Sequence, residues 1–428
     1  MNFLFIAIDT LRADALSCYG KSEKTSPNID RLASEGVLFE NFYSVGNCTH
    51  PGFTSMLTGM YPETTGIVSH WTRVELDESV RTMAQLFQQA GFETAAVDNL
   101  YDGWRPRHPF YPWFRRGYSY YEYPPGEGHY RKGIEVSRVA SKWLRHRSGE
   151  PFLLFVHYWD PHAPYNKAPR RFYRFYRGRN PCDRRLDFMP PIVRDQQRRI
   201  FGKPITDPNY VAAAYLAETH YVDYCIGRLL DDLERLGLSD NTVVVVTSDH
   251  GEILSTPRLA LGRPFCFCHI GLSEDCLRIP LVVSGPDLSH GIRVKERFQL
   301  VDLLPTLLDL AGIPRDPRDR LDGSSFANAL FGRRVKGRDQ LFFSENTYQK
   351  QRAVLQWPWK YMRMEAHYDS MPPRALYNLE EDPLEIVNLA DAERETANRL
   401  DRAIEMYVKE ATRGRGDPLR LQETTGTI

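Results

Sequence analysis

Residues 46–59, GNCTHPGFTSMLTG, contain two adjacent side chains that could attack an ester, Cys48 and Thr49. A free threonine hydroxyl is far too weak an acid to ionise at neutral pH. A coordinated divalent cation lowers the pKa of an oxygen by several units, and attack then gives a covalent intermediate that water displaces. A threonine nucleophile at residue 49 therefore predicts a metal site beside it.

Polar residues of the types that bind metals follow three apolar runs. Asp9 follows the first run, Asp160 and His162 follow the second, and Asp249 and His250 follow the third. A single Asp or His after a strand is usually a solvated loop residue, but ligands of open α/β sheets collect at the carboxyl ends of strands. Three such clusters at equivalent strand ends predict that their side chains converge on one ligand-binding site. Carboxylates combined with imidazoles suit Zn²⁺ or Mn²⁺, and a larger share of oxygen ligands suits Ca²⁺ or Mg²⁺.

The apolar runs that carry these residues are short, continuous and often β-branched: 3–8 (FLFIAI), 151–158 (PFLLFVHY) and 242–248 (TVVVVTS). Such runs are typical of strands buried on both faces of a mostly parallel sheet. Helix-like segments lie between or after them, at 26–36, 78–91, 209–237 and 301–312. Strands that alternate with helices predict an α/β sandwich.

The sequence changes in character after about residue 335. Strand candidates at 340–345 and 353–364 precede a polar helix near 390–411. We therefore expect a catalytic α/β domain over 1–335 and a small C-terminal α+β subdomain over 336–428 that covers one edge of the main sheet. The tail from residue 413 has little to bury, and we expect it to be loose or tied to a partner.

Composition and charge are those of an ordinary globular enzyme. The 428 residues are 42% hydrophobic and 26% charged, with 55 basic and 55 acidic residues, so net charge gives no argument for nucleic acid or membrane partners. No apolar run is long enough to predict a transmembrane helix. The first strand reaches Asp9 too early for a signal peptide, and seven irregularly spaced cysteines do not predict a disulfide framework. We expect a cytoplasmic protein.

Several motifs in order along the chain resemble the sulfatase-like branch of the alkaline phosphatase superfamily. They are IDTLRADALSCYG (8–20), TSPNIDRLASEGVLFENFYS (25–44), LTGMYPETTGI (57–67), DPHAPY (160–165), TSDHGE (247–252), LRIPLVVSGP (277–286), VDLLPTLLDLAGIP (301–314) and LYNLEEDPLEIVNLA (376–390). The resemblance covers nearly the whole chain. It implies an α/β sandwich with a smaller C-terminal subdomain.

The resemblance also implies the metal ligands. The family's ligands fall on Asp9, Asp249 and His250, which would hold a cation against Thr49. Sulfatases usually have a second acidic residue directly after the first Asp, and this chain has Thr10 there. One ligand is therefore changed or lost, and Mn²⁺, Zn²⁺, Ca²⁺ and Mg²⁺ all remain open, as one ion or two.

The family pattern distinguishes the two candidate nucleophiles. Sulfatases convert a cysteine within Cys-X-Pro-X-Arg to formylglycine, but the proline after Cys48 falls one residue late and the arginine is missing. Counting back from LTG at 57–59 aligns Thr49 with the family nucleophile. Unmodified threonine has this role in phosphodiesterase and phosphotransferase relatives. The alternative for Thr49 is that it only caps the helix that follows, whose N-terminus would also stabilise an attacking oxyanion.

Four basic positions of sulfatases are replaced in this chain, by Phe53, Asn99, Tyr101 and His269. The family histidine is kept at His162. We therefore expect a less cationic pocket, which suits a diester or a sulfate monoester better than a phosphate monoester. His269 has three open roles: general acid, ligand of a second metal with His162 and Asp160, or a structural residue in the turn CFCH.

An arginine-rich excursion at 170–205 follows DPHAPY directly. Its residues 170–199 contain ten Arg and three Asp with aromatic residues between them. This composition could bind nucleic acid, but its place after DPHAPY favours a substrate-contacting lid or an oligomer contact. A solvated surface excursion is the remaining alternative. We expect no nucleic-acid partner.

The sequence as a whole predicts a metal-dependent hydrolase that acts on a small anionic sulfate or phosphate ester through Thr49. One rival is a transferase, in which an alcohol takes the group from Thr49 in place of water. The other rival is a catalytically silent binding protein that keeps the fold. This alternative is suggested by Thr10, which replaces an acidic residue of sulfatases, and by the lost basic residues. The natural substrate and the oligomeric state, including a homo-oligomer, stay open.

Overall fold

A computed structural model of the chain describes residues 1–70, 72–99, 112–124, 130–163, 165–176, 208–254, 269–367 and 371–425. Three parts of the predictions lie outside the described residues: Tyr101, residues 177–205 of the arginine-rich excursion, and the turn residues that precede His269. Among the described residues, no helix combines the length and the apolar run that crossing a bilayer requires.

The main sheet has eight strands: β1 (Asn2–Ile8), β2 (Gly36–Tyr43), β3 (Glu93–Val97), β4 (Tyr120–Glu122), β5 (Phe152–Tyr158), β6 (Thr242–Ser248), β7 (Arg278–Ser284) and β8 (Ile292–Gln299). Their order in the sheet is β4-β3-β5-β1-β6-β7-β2-β8. All neighbours pair in parallel except β7, which is antiparallel to both β6 and β2. The predicted mostly parallel sheet is confirmed.

The three apolar runs form the adjacent central strands β5, β1 and β6, and every residue of these strands is buried. Side chains of β1 alternate between two hydrophobic cores. Leu4 and Ile6 pack into the core on one face, and Phe3 and Phe5 pack into the core on the other. A strand buried on both faces favours apolar side chains at nearly every position, which explains the apolar runs.

Helices cover both faces of the sheet and complete the sandwich. The helices of the described residues are α1 (Pro27–Ser34), α2 (Thr49–Thr58), α3 (Pro62–Thr65), α4 (Met83–Gln89), α5 (Gly133–His146), α6 (Pro208–Arg235), α7 (Glu274–Leu277), α8 (Leu303–Ala311), α9 (Ala327–Leu330), α10 (Arg394–Thr412) and α11 (Pro418–Leu421). Of these, α10 packs not on the main sheet but on the C-terminal strands. Short 3₁₀ helices lie at Ala13–Ala15, Ser17–Tyr19, Pro112–Arg115, Arg170–Tyr176, Ser239–Asn241 and Leu300–Asp302. The predicted α/β sandwich is confirmed.

A second sheet of four antiparallel strands follows: β9 (Leu341–Glu345), β10 (Gln351–Gln356), β11 (Trp359–Met364) and β12 (Arg374–Asn378), in the order β12-β11-β10-β9. The single predicted strand at 353–364 is in fact the hairpin β10–β11. It turns at Trp357 and Pro358 because proline has no N–H for a strand ladder. The boundary at residue 335 stays a prediction.

The C-terminal tail is tied to its own chain, so the expectation of a loose tail was wrong for the described residues, and a contact of the tail with a partner stays a prediction. Arg415 donates to the carbonyl of Thr64 at 2.9 Å, and Gln422 donates to the carbonyl of Gly66 at 2.7 Å. Arg352, which is buried, binds Asp417 through Nη1 at 2.8 Å. The tail is thus anchored by hydrogen bonds and by the buried side chain of Leu419.

Candidate active site and metal centre

Strand register brings Asp9, Asp249 and His250 together. Ile8, the last residue of β1, pairs with Tyr158 of β5 and with Ser248 of β6, so these strands end level with one another. The residues that follow therefore converge. His250 Nε2 lies 3.5 Å from Asp249 Oδ2 and 3.9 Å from Asp9 Oδ1. One ligand atom from each of the three residues lies within 4.8 Å of the others.

The carboxylates of this cluster are buried without enough partners. Asp9 Oδ1 and Oδ2 and Asp249 Oδ2 have no hydrogen bond to any described residue. Burial opposes ionisation of Asp9, but the surrounding histidines outweigh it and lower the pKa of Asp9. Burial, followed by the charge of Asp9, raises the pKa of Asp249. Unpaired buried carboxylates are costly, and two oxygen donors with one imidazole fit a divalent cation.

Thr49 meets this cluster at the start of α2. Its Oγ1 lies 3.4 Å from His250 Nε2, and only 2% of the residue is exposed. The alternative that Thr49 caps the helix is wrong. Cys48 occupies the N-cap with extended backbone, no side chain caps the helix, and Thr49 is the first helical residue. The positive end of the helix dipole therefore lies beside the hydroxyl.

Gly52 lets α2 approach the metal-ligand segment closely. A Cβ at this position would lie 2.9 Å from the carbonyl oxygen of Asp249 and 3.2 Å from its Cβ. Gly52 comes about one turn after Thr49 in α2. The close contact between Gly52 and Asp249 therefore also sets the distance between Thr49 and the end of β6. The sequence analysis did not identify this glycine, because its requirement comes from a contact between segments about 200 residues apart.

Cys48 has different neighbours from Thr49. Its Sγ lies 3.1 Å from Thr347 Oγ1 in the loop after β9, and it is buried. Burial raises the pKa of the Cys48 thiol to about 12, which disfavours the thiolate that attack would require. These contacts favour a structural role for Cys48.

Thr10, where sulfatases usually have an acidic residue, has a strained backbone with φ of 57°. A β-branched residue rarely adopts this conformation, so its surroundings must hold it. The N–H of Thr10 donates to Asp249 Oδ1 at 3.2 Å, and Tyr215 donates to the carbonyl of Thr10 at 2.8 Å. Thr10 thus orients Asp249 through its backbone.

His269 lies beside the cluster and is held by Glu252. Its Nδ1 is 3.6 Å from Glu252 Oε1, and Tyr165 donates to Glu252 Oε2 at 2.8 Å. The ring centroid of His269 is 4.6 Å from that of His250 and 5.5 Å from that of His162. Burial lowers the pKa of His162 to about 4, whereas for His269 the bond to Glu252 outweighs burial and raises the pKa. The geometry brings all three predicted histidines together.

A second metal site with Asp160 is not assembled among the described residues. No ligand atoms from Asp160, His162 and His269 all lie within 4.8 Å of one another, and Asp9, Asp249 and His250 are the only such group there. Asp160 is buried, and burial raises its pKa while the charge of Lys167 opposes the rise. Lys167 donates to the carbonyl of His162. Lys167 therefore supports the His162 loop, whereas both carboxylate oxygens of Asp160 are buried without a hydrogen bond to a described residue.

Two of the four replaced basic positions, Phe53 and Asn99, hold uncharged side chains that are packed into the protein. The ring of Phe53 contacts the rings of His157 at 4.8 Å and Phe155 at 5.8 Å. Asn99 accepts from the backbone N–H of Arg131 at 3.0 Å and donates to its carbonyl at 3.2 Å. Both side chains are buried, so neither gives the site a cation.

The sequence analysis missed one buried pair, His157 and Asp98. His157 Nδ1 lies 2.8 Å from Asp98 Oδ1, and its Nε2 lies 3.7 Å from Asp9 Oδ2. Burial lowers the pKa of His157, but the neighbouring carboxylates of Asp9 and Asp98 outweigh this effect and raise the pKa to about 9. The signal was present: a histidine inside the otherwise apolar run of β5 is out of place unless it has a buried partner.

Comparisons with known proteins extend over the whole chain. The family model described as sulfatase matches residues 1–313, and the model described as N-sulphoglucosamine sulphohydrolase, C-terminal, matches residues 267–410. Choline-sulfatase of Rhizobium meliloti is 27% identical, with 92% of this chain and 83% of that protein covered. N-acetylglucosamine-6-O-sulfatase of Bacteroides thetaiotaomicron is 27% identical, with 73% and 68% covered. The crystal structure of a phosphonate monoester hydrolase of Agrobacterium radiobacter superposes with a TM-score of 0.74 at 21% identity, covering 96% of this chain and 95% of that one.

Proposed function

This chain belongs to the sulfatase family of ester hydrolases, and from that premise we propose that it cleaves a small anionic sulfate or phosphate ester through Thr49. One observation carries the proposal. The Thr49 hydroxyl, at the N-terminus of α2, lies 3.4 Å from His250 in a cluster of two buried, under-partnered carboxylates and an imidazole. A nucleophilic alcohol, a cation site and a helix N-terminus at one point suit attack on a tetrahedral oxyanion ester.

Asp9, Asp249 and His250 would hold a divalent cation. Such an ion, when bound, stabilises negative charge on the reacting group and lowers the pKa of an adjacent hydroxyl. The backbone N–H groups of Thr10 and His250 orient Asp249, and the imidazole of His157 lies beside Asp9. The donor set does not select one cation among Zn²⁺, Mn²⁺, Ca²⁺ and Mg²⁺.

The reaction proceeds in two balanced steps. In the first step, a bond forms from Thr49 Oγ1 to the sulfur or phosphorus while the bond to the leaving oxygen breaks. Thr49 Oγ1 gives its proton to solvent water, and the leaving alcohol gains a proton from His269, which lies beside the Glu252 carboxylate and regains its proton from solvent before the next turnover. In the second step, water attacks the covalent intermediate, restores the Thr49 hydroxyl and releases the acid.

The charge of the pocket favours a singly charged tetrahedral group. Phe53 and Asn99 stand at positions that are basic in sulfatases, and both are packed into the protein. A sulfate monoester, a phosphate diester or a phosphonate ester needs fewer cations than a phosphate monoester. Choline-sulfatase and N-acetylglucosamine-6-O-sulfatase are named for sulfate esters, which makes a sulfate ester our first choice and a phosphate diester or phosphonate ester the second.

A substrate panel with matched variants tests this proposal. Aryl sulfate, phosphate monoester, phosphate diester and phosphonate ester are each assayed with Mn²⁺, Zn²⁺, Mg²⁺ or Ca²⁺. Thr49→Ala should lower kcat by about 10³-fold or more, because it removes the attacking atom. The adjacent Cys48→Ala should retain most of the activity. Loss of activity in Cys48→Ala together with full activity in Thr49→Ala would overturn the assignment.

The same panel separates the two rivals. A transferase would form an ester with an added alcohol acceptor faster than it releases free acid. A silent binding protein would show no metal-dependent turnover with any substrate, and Thr49→Ala would then change nothing.

A further inference from the structure

The second sheet lies directly against the nucleophile loop, residues 44–47, which leads to Thr49. The backbone N–H of Ser344 in β9 donates to the carbonyl of Val45 at 3.1 Å. Gly46 comes so close to the same strand that an added Cβ would lie 2.5 Å from the carbonyl oxygen of Ser344. The C-terminal strands are therefore in backbone contact with the loop that carries the attacking residue.

Glu345, the last residue of β9, binds the segment that carries His269. The backbone N–H of Gly271 donates to Glu345 Oε2 at 2.8 Å, and the N–H of Leu272 donates to Gln351 Oε1 at 3.2 Å. Gln351 is the partner of Glu345 across β9 and β10, so the two acceptors lie side by side. Glu345 is fully buried, and a buried carboxylate is costly unless its partners compensate. Its bond to Gly271 is therefore a specific contact and not a surface accident.

Asn47 connects this segment with the nucleophile loop. Its Nδ2 donates to the carbonyl of His269 at 2.5 Å, and its side chain is buried. Burial raises the pKa of Glu345 to about 7, and the neighbouring side chain of Asn47 opposes the rise. Asn47 thus lies beside both His269 and Glu345, two positions before Thr49 in the chain.

These contacts bear on the reaction because they hold the backbone around His269. Glu252 lies beside the ring of His269, but the ring can reach a leaving group only if its backbone is correctly placed. A general acid must lie within hydrogen-bond reach of the leaving oxygen. A misplacement of about 1 Å costs about 10²-fold in rate. The distance between this backbone and Thr49 is therefore a requirement of the reaction as well as of the fold.

We propose that Asn47 and Glu345 are positioning residues that set the distance between the attacking Thr49 and the proton donor His269. The inference rests on the proposed function, because that function gives Thr49 and His269 these roles. Asn47 and Glu345 act through the backbone of the His269 segment and do not touch the substrate. The C-terminal strands thereby take part in the reaction.

A series of esters with different leaving groups tests Asn47. Asn47→Ala removes the bond to the His269 carbonyl and should lower kcat/KM for esters of poorly acidic alcohols by about 10- to 100-fold. Esters of acidic phenols should change by less than about threefold, because they need no proton from His269. In the His269→Asn protein, Asn47→Ala should add less than about threefold, because a residue that acts through His269 has nothing left to position.

Two substitutions of Glu345 form a matched pair. Glu345→Ala removes the acceptor for the Gly271 N–H and should show the same dependence on the leaving group as Asn47→Ala. Glu345→Gln keeps an oxygen that can accept this N–H. It should therefore be about tenfold or more faster than Glu345→Ala with esters of poorly acidic alcohols. If the cavity left by Glu345→Ala prevents folding, Asn47→Ala and its combination with His269→Asn decide the question.

Glu63→Gln is the control for a general loosening of the C-terminal strands. Glu63 of α3 is a buried carboxylate that accepts from Arg352 Nε at 3.4 Å and from Tyr407 at 2.7 Å. Any change in kcat/KM that this variant causes should be the same for every ester of the series.

The outcomes separate this inference from the proposed function. A uniform loss over the series in Asn47→Ala, or an undiminished further loss in the His269→Asn protein, would overturn the positioning role while His269 remains the proton donor. Absence of any leaving-group dependence in His269→Asn itself would remove the proposed role of His269, and the positioning role with it.

Discussion

The imidazole of His157 lies 3.7 Å from the carboxylate of Asp9 and 2.8 Å from that of Asp98, with all three side chains buried. Asp98 fixes the ring, and the ring in turn faces a proposed metal ligand. Such a partner behind a ligand usually sets both its orientation and its affinity for the metal. Four predictions follow from this and three other arrangements in the site.

His157→Asn should weaken metal binding by about 10- to 100-fold, because the shorter amide cannot reach Asp9 from its place beside Asp98. The measurement is a metal titration of the metal-free protein by calorimetry, which does not depend on turnover. Tyr158→Phe is the matched control, since it changes the next residue of the same strand, whose hydroxyl lies 3.0 Å from Ser137 Oγ. Equal metal affinity in His157→Asn and the unchanged protein would show that His157 has no such role.

The contribution of Asp249 to the stability of the metal-free protein should fall as pH rises above about 4, the ordinary pKa of a carboxyl group. Burial and the charge of Asp9 raise the pKa of Asp249 in the folded state. The folded state therefore holds a proton that the unfolded state releases, and this stability is lost as pH rises toward the higher native pKa. Asp249→Asn should remove the dependence and raise the free energy of unfolding of the metal-free protein at neutral pH by about 1 kcal/mol or more.

Denaturant unfolding in the presence of a chelator, between pH 5 and pH 8, measures this effect. At saturating metal, the unchanged protein should have the larger free energy of unfolding of the two, because only the unchanged protein gains the free energy of metal binding. A parallel pH dependence in Asp249→Asn and the unchanged protein would contradict the prediction.

Gly52→Ala should destabilise the protein by about 1–3 kcal/mol, because the added Cβ would lie 2.9 Å from the carbonyl of Asp249. It should also lower kcat, since relief of the contact moves α2 and Thr49 away from His250. Ser55→Ala in the same helix is the control, because the buried Ser55 hydroxyl has no hydrogen bond to a described residue. Thermal unfolding and steady-state kinetics measure both effects. An unchanged kcat in Gly52→Ala would mean that the approach of α2 does not matter for the reaction.

His269→Asn should slow esters of poorly acidic alcohols by about 10²- to 10⁴-fold while it barely changes esters of acidic phenols. An acidic leaving group needs no proton, so only the former esters depend on His269. Glu252→Gln should show the same trend more weakly, because it removes the charge that holds His269. The test compares kcat/KM across a series of leaving groups. A uniform loss over the series would assign His269 to binding or structure.

The sequence was sufficient to predict the elements that repeat a simple pattern. The runs at 3–8, 151–158 and 242–248 form the central strands because a strand buried on both faces is apolar at most of its positions. The ends of those strands located Asp9, Asp249 and His250. The chain also predicted that Thr49 and not Cys48 would meet them.

What each side chain contacts was decided only by the tertiary structure. Cys48 and Thr49 are adjacent, yet one contacts Thr347 and the other contacts His250, because the chain enters a helix between them. The roles of Gly52 and His157 depend on their contacts with Asp249 and Asp9, which lie far away in sequence. Local patterns record burial and periodicity, whereas contacts across a sheet depend on strand order and register, and no local pattern in one chain encodes these.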